Sequence, residues 1–417
     1  MKTELFTVLR DGLKINGIVY RSEKDCTKAP AIIISHGFQC NYEGFEYYGR
    51  RFSEYGFNVF CFNFCGGSSR DDFDRKSDGD SRDMCLTSEI ADLTTIFNYV
   101  KEQAYVDTNS IYLMGESQGA FVSGLTAARL QDQIKKLIMI YPAVCIPDHA
   151  RRGTLGGANY DPKNPPEEMV LPLTTIGRTY HEDVVDMDAY SELAKYEGQT
   201  LIIQGTDDDI VTPQYQYLVK NVFDLTDEKI VGKNQNANND NTKVQNNHRC
   251  KLQMVRNMGH MVSDAYRDSV VDSILQFIED KEEIMNFRIV CTNVLPLDNN
   301  DQIDTSNVLE EEIPIHEQDV YFTGYCESEL FTGCIVSGVD HQAYKGNECI
   351  KMQAEYTFKG VDSDGDECEM KICNKNTGCG WKPEISVNSK KLDWLNTADL
   401  TAVVEGGNLG PTIRIYM

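Results

Sequence analysis

The sequence predicts an α/β protein, a mainly parallel sheet with helices on both faces, followed by a smaller all-β, barrel-like domain. Three observations carry this expectation. Between residues 5 and 140, short apolar runs rich in β-formers alternate with helical patterns, as parallel strands joined by helical crossovers do. From about residue 288 the texture changes to period-two alternation, as in Tyr321 to Tyr325 and Met352 to Phe358. The 417 residues, 41% of them hydrophobic, suffice for two buried cores.

The elements follow in chain order. Phe6 to Tyr20, broken at Asp11-Gly12 and Asn16-Gly17, reads as an antiparallel opening hairpin. Ala31–Ser35, Asn58–Phe62, Ile111–Met114 and Leu137–Ile140 are continuous apolar runs, expected of strands covered on both faces. Ile90, Leu93, Ile96, Phe97 and Val100 recur at helical spacing between the second and third of these. Residues 145–197 break the rhythm with prolines, glycines and mixed charge and read as a cap inserted after the sixth strand, before Thr200–Ile203 restores a buried strand. Residues 232–248 are nearly all polar and rich in Asn, and are expected to be a disordered loop. Leu252–Val255 resumes the sheet, and a helix from about Asp264 to Glu279 closes a first domain spanning 1–287, leaving 288–417 as the second.

Charge and composition narrow the function. The formal net charge is −25, from 40 basic and 65 acidic residues, and residues 288–417 alone carry 22 acidic against 10 basic. Such a surface repels phosphate backbones and anionic lipid, which excludes nucleic acid and membrane as expected partners. The N-terminus lacks the apolar run of a secretory signal, and no stretch reaches the roughly 18 residues of a spanning helix. A cytoplasmic protein is therefore expected, with its 14 scattered cysteines reduced.

The chemistry concentrates at Gly115-Glu116-Ser117-Gln118-Gly119, a Gly-x-Ser-x-Gly sequence directly after one strand and before a plausible helix, Phe121 to Leu130. That context marks a nucleophile elbow, and with it the α/β-hydrolase fold. A serine hydroxyl needs a base, and the base an orienting carboxylate, in the chain order Ser, acid, His. Six histidines lie downstream of Ser117, but only His260 follows an apolar strand directly, so it is the expected base. The other five, His149, His181, His248, His316 and His341, are expected to be solvated surface residues. The acid belongs in Thr206-Asp207-Asp208-Asp209-Ile210-Val211, where three adjacent carboxylates compete. Backbone N–H groups of Gln118 and of Phe38, in His36-Gly37-Phe38, fit an oxyanion hole.

Residues 1 to about 285 resemble the bacterial feruloyl (cinnamoyl) esterases. The resemblance rests on the elbow and His-Gly pair and, more specifically, on Tyr141-Pro142-Ala143, Pro147 to Arg151, Ala158 to Pro162, Ile176 to Tyr180 and Tyr190 to Tyr196. It implies hydrolysis of small hydroxycinnamoyl esters through an acyl-enzyme, without cofactor or metal. The family pattern Gly-Thr-x-Asp-x-x-Val falls on Gly205, Thr206, Asp208 and Val211, which makes Asp208 the implied acid. It likewise implies that Asp148 and Tyr180 in the cap meet the substrate's phenolic hydroxyls, while a further polar cap residue of the family falls on Gly156. Gln204 stands where the family has histidine before Gly-Thr. A general acyl esterase or a peptidase on the same scaffold is the competing expectation. The β domain resembles a small barrel family of unknown function through Phe331 to Asp340 and Glu355 to Phe358, and is expected to serve binding or oligomerisation, with a homo-oligomer left open. After Asp362 to Asp366, Glu367 stands where an EF-hand calcium loop requires glycine, so the segment is expected to be a hairpin turn.

Overall fold

The computed structural model describes residues 2–22, 24, 27–67, 75–172, 174–235, 249–291, 314–346, 348–377, 380–406 and 410–417. The chain forms two compact units, Met1–Met261 and Val262–Met417.

In the first unit, β1 (Thr3–Arg10) and β2 (Leu13–Tyr20) form the antiparallel opening hairpin. The sheet continues with β3 (Ala29–Ser35), β4 (Asn58–Phe62), β5 (Val106–Glu116), β6 (Leu137–Ile140), β9 (Thr200–Gly205) and β10 (Cys250–Val255). Its order is β1-β2-β4-β3-β5-β6-β9-β10, parallel from β4 to β10. β4, β6 and β9 are buried at every residue, because α1 (Glu46–Glu54), α2 (Leu86–Lys101), α3 (Gln118–Leu130) and α7 (Pro213–Gln235) connect and cover the strands. The helix α7 takes up residues 232–235, the start of the expected polar loop; the remainder, 236–248, lies outside the described residues.

The excursion between β6 and β9 carries α4 (Ile146–Arg152), the two-stranded antiparallel pair β7 (Glu168–Val170) and β8 (Thr175–Gly177), α5 (Arg178–Val184) and α6 (Ala189–Leu193). It is a structured cap, anchored through Ile176, Tyr180, Val184 and Leu193 in the core of this unit.

The second unit contains α8 (Asp264–Ile278) and a closed barrel of antiparallel strands, β11 (Glu283–Cys291), β12 (Ile315–Glu327), β13 (Phe331–Lys345), β14 (Glu348–Asp362), β15 (Glu367–Asn376), β16 (Trp381–Val387), β17 (Thr401–Glu405) and β18 (Thr412–Tyr416). Closure through β11 and β18 leaves no open edge. Phe287, Phe322, Phe331, Tyr356 and Phe358 fill the interior, with Phe287 and Phe358 edge-to-face at 5.2 Å. Helix α8 packs on β17, and Gln276 accepts a 2.7 Å bond from Thr401. Its grouping with the barrel places the division between units ahead of the change in sequence texture. Between β14 and β15 the Asp362–Asp366 segment forms a tight hairpin turn, with Gly365 N–H donating to Asp362 O at 2.9 Å.

Candidate active site

The site is assembled at the carboxyl ends of parallel strands, where an open α/β sheet presents its loops. Ser117 sits between β5 and α3 at φ 53°, ψ −119°, a conformation that costs a non-glycine residue strain and lifts the side chain out of the chain path. The flanking glycine is a steric requirement: a Cβ on Gly119 would stand 2.3 Å from the carbonyl oxygens of Ser35 and His36. Ser117 O also accepts from Phe121 N and Ala143 N, which pins the turn from both sides.

His260, in the loop after β10, places Nε2 3.0 Å from Ser117 Oγ and Nδ1 3.0 and 3.1 Å from the two carboxylate oxygens of Asp208. Of the three adjacent carboxylates, Asp208 is buried while Asp207 and Asp209 are exposed. Asp207 instead accepts from Thr206 Oγ1, at 2.7 Å. Burial, the largest single influence, raises the Asp208 carboxyl, but hydrogen bonds from His260, Val211 N–H and Gln204 together hold it below its ordinary value. It is an anion fixed by donors, the form that orients an imidazole and stabilises the imidazolium.

Three residues without an expected role shape this row. Gln204, fully buried on β9, donates through Nε2 to Asp208 Oδ2 at 3.0 Å and also reaches the Val211 carbonyl at 3.1 Å, so it clamps the acid turn to its own strand. The Tyr141 ring lies 4.7 Å from that of His260. His36 is buried, which pushes its pKa down to about 4 and leaves the ring neutral. Its Nε2 accepts from Phe64 N–H at 3.1 Å, so Nδ1 carries the proton donated to Gly37 O at 2.8 Å. The ring thus ties the loop of Phe38 to the end of β4. The approach is close at Gly37, where a Cβ would stand 3.3 Å from that of Ser117.

Gln118 opens α3 directly after Ser117, and Phe38 is half-buried in the loop after β3. The Phe38 ring stacks on that of Tyr180 at 6.3 Å and 27°. Tyr180 is 2% exposed, and its hydroxyl donates to the side-chain carbonyl of Gln118. Asp148 is half-exposed on α4, paired with Arg151 at 2.9 Å and bonded to Tyr215. Gly156 lies in a short turn after α4 and offers no side chain. His181 corrects the expectation of solvated histidines: it is 3% exposed and its Nδ1 lies 2.8 Å from Tyr160 Oη. His149 is half-buried, and His248 lies outside the described residues. Among the described residues no cluster of His, Cys, Asp and Glu could hold a metal ion, and every described cysteine is a free thiol.

Two solved structures of Est1E from Butyrivibrio proteoclasticus superpose on the chain. One, with ferulic acid bound, gives a TM-score of 0.56 at 24% identity over 66% of this chain and 98% of Est1E. The second gives 0.53 at 22% over the same shares. The first unit has the α/β-hydrolase fold. Residues 27–157 also match a family model described as serine aminopeptidase, S33, a span that contains Phe38 and Ser117 but ends before Asp208 and His260. No curated protein matches the sequence.

Proposed function

We propose that the chain is a serine carboxylic ester hydrolase acting on hydroxycinnamate esters through an acyl-enzyme. The observation that carries this reading is the continuous row from Ser117 Oγ through His260 to Asp208, with contacts of 3.0 Å at both ends of the imidazole. His260 Nε2 takes the hydroxyl proton as Oγ attacks the ester carbonyl carbon. The tetrahedral oxyanion is received by the backbone N–H groups of Phe38 and Gln118. His260 returns the proton to the departing alcohol, and a water molecule, activated in the same way, releases the acid. Asp208 holds the tautomer throughout.

The choice of acyl group rests on the cap, and Est1E, whose fold this unit shares, holds ferulic acid. Asp148, paired with Arg151 in the cap and bonded to Tyr215 of α7, is assigned to the phenolic hydroxyl. A site built to bond a hydroxyl disfavours the analogue lacking it by about 1–3 kcal/mol, roughly tenfold to a hundredfold. Methyl ferulate, caffeate and p-coumarate should therefore exceed methyl cinnamate in kcat/KM, with Asp148→Ala narrowing the gap. Equal values, with short aliphatic esters faster still, would move the protein to a general esterase. The family match also favours a peptidase as the second reading. Turnover of aminoacyl p-nitroanilides in preference to every ester would establish it. The barrel is assigned to binding or self-association, which light scattering and an oligosaccharide screen on the full chain would test.

A further inference from the structure

We propose that Tyr180, Gln118 and Glu89 form a buried positioning row that ties the cap to both backbone donors of the oxyanion site, with Glu89 as its anchor. The inference rests on the serine hydrolase reading and extends it to residues remote from the reacting atoms. Its geometry runs in one direction. Tyr180, on α5 in the cap, donates to the Gln118 side-chain carbonyl, and Gln118 Nε2 donates in turn to Glu89 Oε2 at 2.8 Å. Each donor meets an acceptor, so the bonds polarise one another in a site closed to water. The same tyrosine stacks on Phe38. One cap residue therefore touches both Phe38 and Gln118, whose N–H groups are the candidate oxyanion donors.

Glu89 is 1% exposed on α2 and terminates the row. A buried carboxyl costs stability that an apolar side chain would not, so its retention needs a reason beyond packing. Gly67 leaves the space, for a Cβ there would stand 2.6 Å from Glu89 Oε1. Burial pushes its pKa up to about 8, so it is neutral at pH 7 and needs no counter-charge. Without this acceptor the Gln118 amide would lose its carboxyl partner, and Gln118 is the first residue of α3, adjacent to the candidate nucleophile. The row bypasses Ser117, His260 and Asp208, so disturbing it should affect the oxyanion site while leaving the nucleophile and its base in place. This role for Tyr180 differs from the substrate contact implied by the family resemblance.

The test is steady-state kinetics of the full chain on p-nitrophenyl acetate, methyl cinnamate and methyl ferulate, with inhibition by phenylboronic acid, whose adduct with serine places an oxygen in the oxyanion site. Tyr180→Phe and Glu89→Ala should each lower kcat about tenfold to a hundredfold on all three esters, with KM within about threefold, since loss of an entire oxyanion donor costs about 10²–10³. Inhibition by the boronate should weaken in parallel. Glu89→Gln, which keeps an acceptor in the same volume, should restore most of the rate. A Tyr180→Phe loss confined to methyl ferulate would overturn the inference and make Tyr180 a substrate contact. Wild-type kcat in both Tyr180→Phe and Glu89→Ala would also overturn it, with the hydrolase reading intact. If Glu89→Ala does not fold, Tyr180→Phe, which removes a single oxygen atom, decides alone. A wild-type chain inert toward every ester would overturn the hydrolase reading and this inference together.

Discussion

At the scale of single residues, the charge state of each buried group follows from its partners. Asp208 gathers donors and stays ionised; Glu89, with Asp92 and Asp183 also disfavouring its charge and Tyr180 close by, stays protonated. Ser117→Ala should fold and lose turnover by about 10⁶, as measured by burst-phase and steady-state assays. Asp208→Asn should lower kcat by about 10⁴, whereas Asp207→Asn and Asp209→Asn should stay near wild type, because only Asp208 bonds His260. For Glu89 the folded pKa, about 8, is above the ordinary 4.5. Its contribution to stability is therefore fully present below pH 4.5 and is lost as pH rises toward 8, at roughly 1.4 kcal/mol per pH unit across the window. Glu89→Gln has no such dependence. Its Tm relative to wild type should climb between pH 5 and pH 8, and parallel Tm curves would show that the carboxyl is already ionised in the folded state.

At the scale of elements, the elbow stores strain that its surroundings must hold. Ser117 has positive φ, and α3 is buried over Gln118 to Ala127 while the Gly119 backbone lies against the end of β3. Gly119→Ala must push apart β3 and α3 at a point where backbone meets backbone. We expect it to destabilise the protein by several kcal/mol, on the order of the larger core substitutions, visible as a fall in urea midpoint. The elbow context made Ser117 and α3 legible in the sequence, and the polar Asn-rich composition after residue 232 did not reveal that α7 extends to Gln235. Helix propensity of neighbours and packing earlier in α7 carry a few polar residues along once the helix is nucleated.

At the scale of the molecule, the two units differ in what they hold. Ser117, Asp208 and His260 all precede residue 262, while α8 and β11 to β18 make up the second unit. A fragment ending at residue 287 would keep the β11 residues Met285 and Phe287 but remove the strands that bury them. It should retain esterase turnover per folded molecule, with a lower Tm and greater ANS binding than the full chain. A fragment that folds but shows no turnover would make the barrel part of the catalytic machinery.

The sequence by itself determined the α/β class and the β domain and singled out Ser117 and His260 as candidate nucleophile and base, because each is a local signal: period, strand-elbow-helix order, and a histidine after an apolar run. It left three carboxylates in competition at Asp207 to Asp209, where adjacent residues look alike until burial and the reach of His260 separate them. Only the tertiary structure brought Gln204 to Asp208, His36 to Phe64, and Tyr180 through Gln118 to Glu89. Glu89 and Tyr180 are 91 residues apart in the chain, on α2 and α5, and each is unremarkable in its own segment. Their partnership arises from the packing of the cap against the helices beneath it, since a buried polar group is satisfied by whatever neighbour the fold brings within hydrogen-bonding distance.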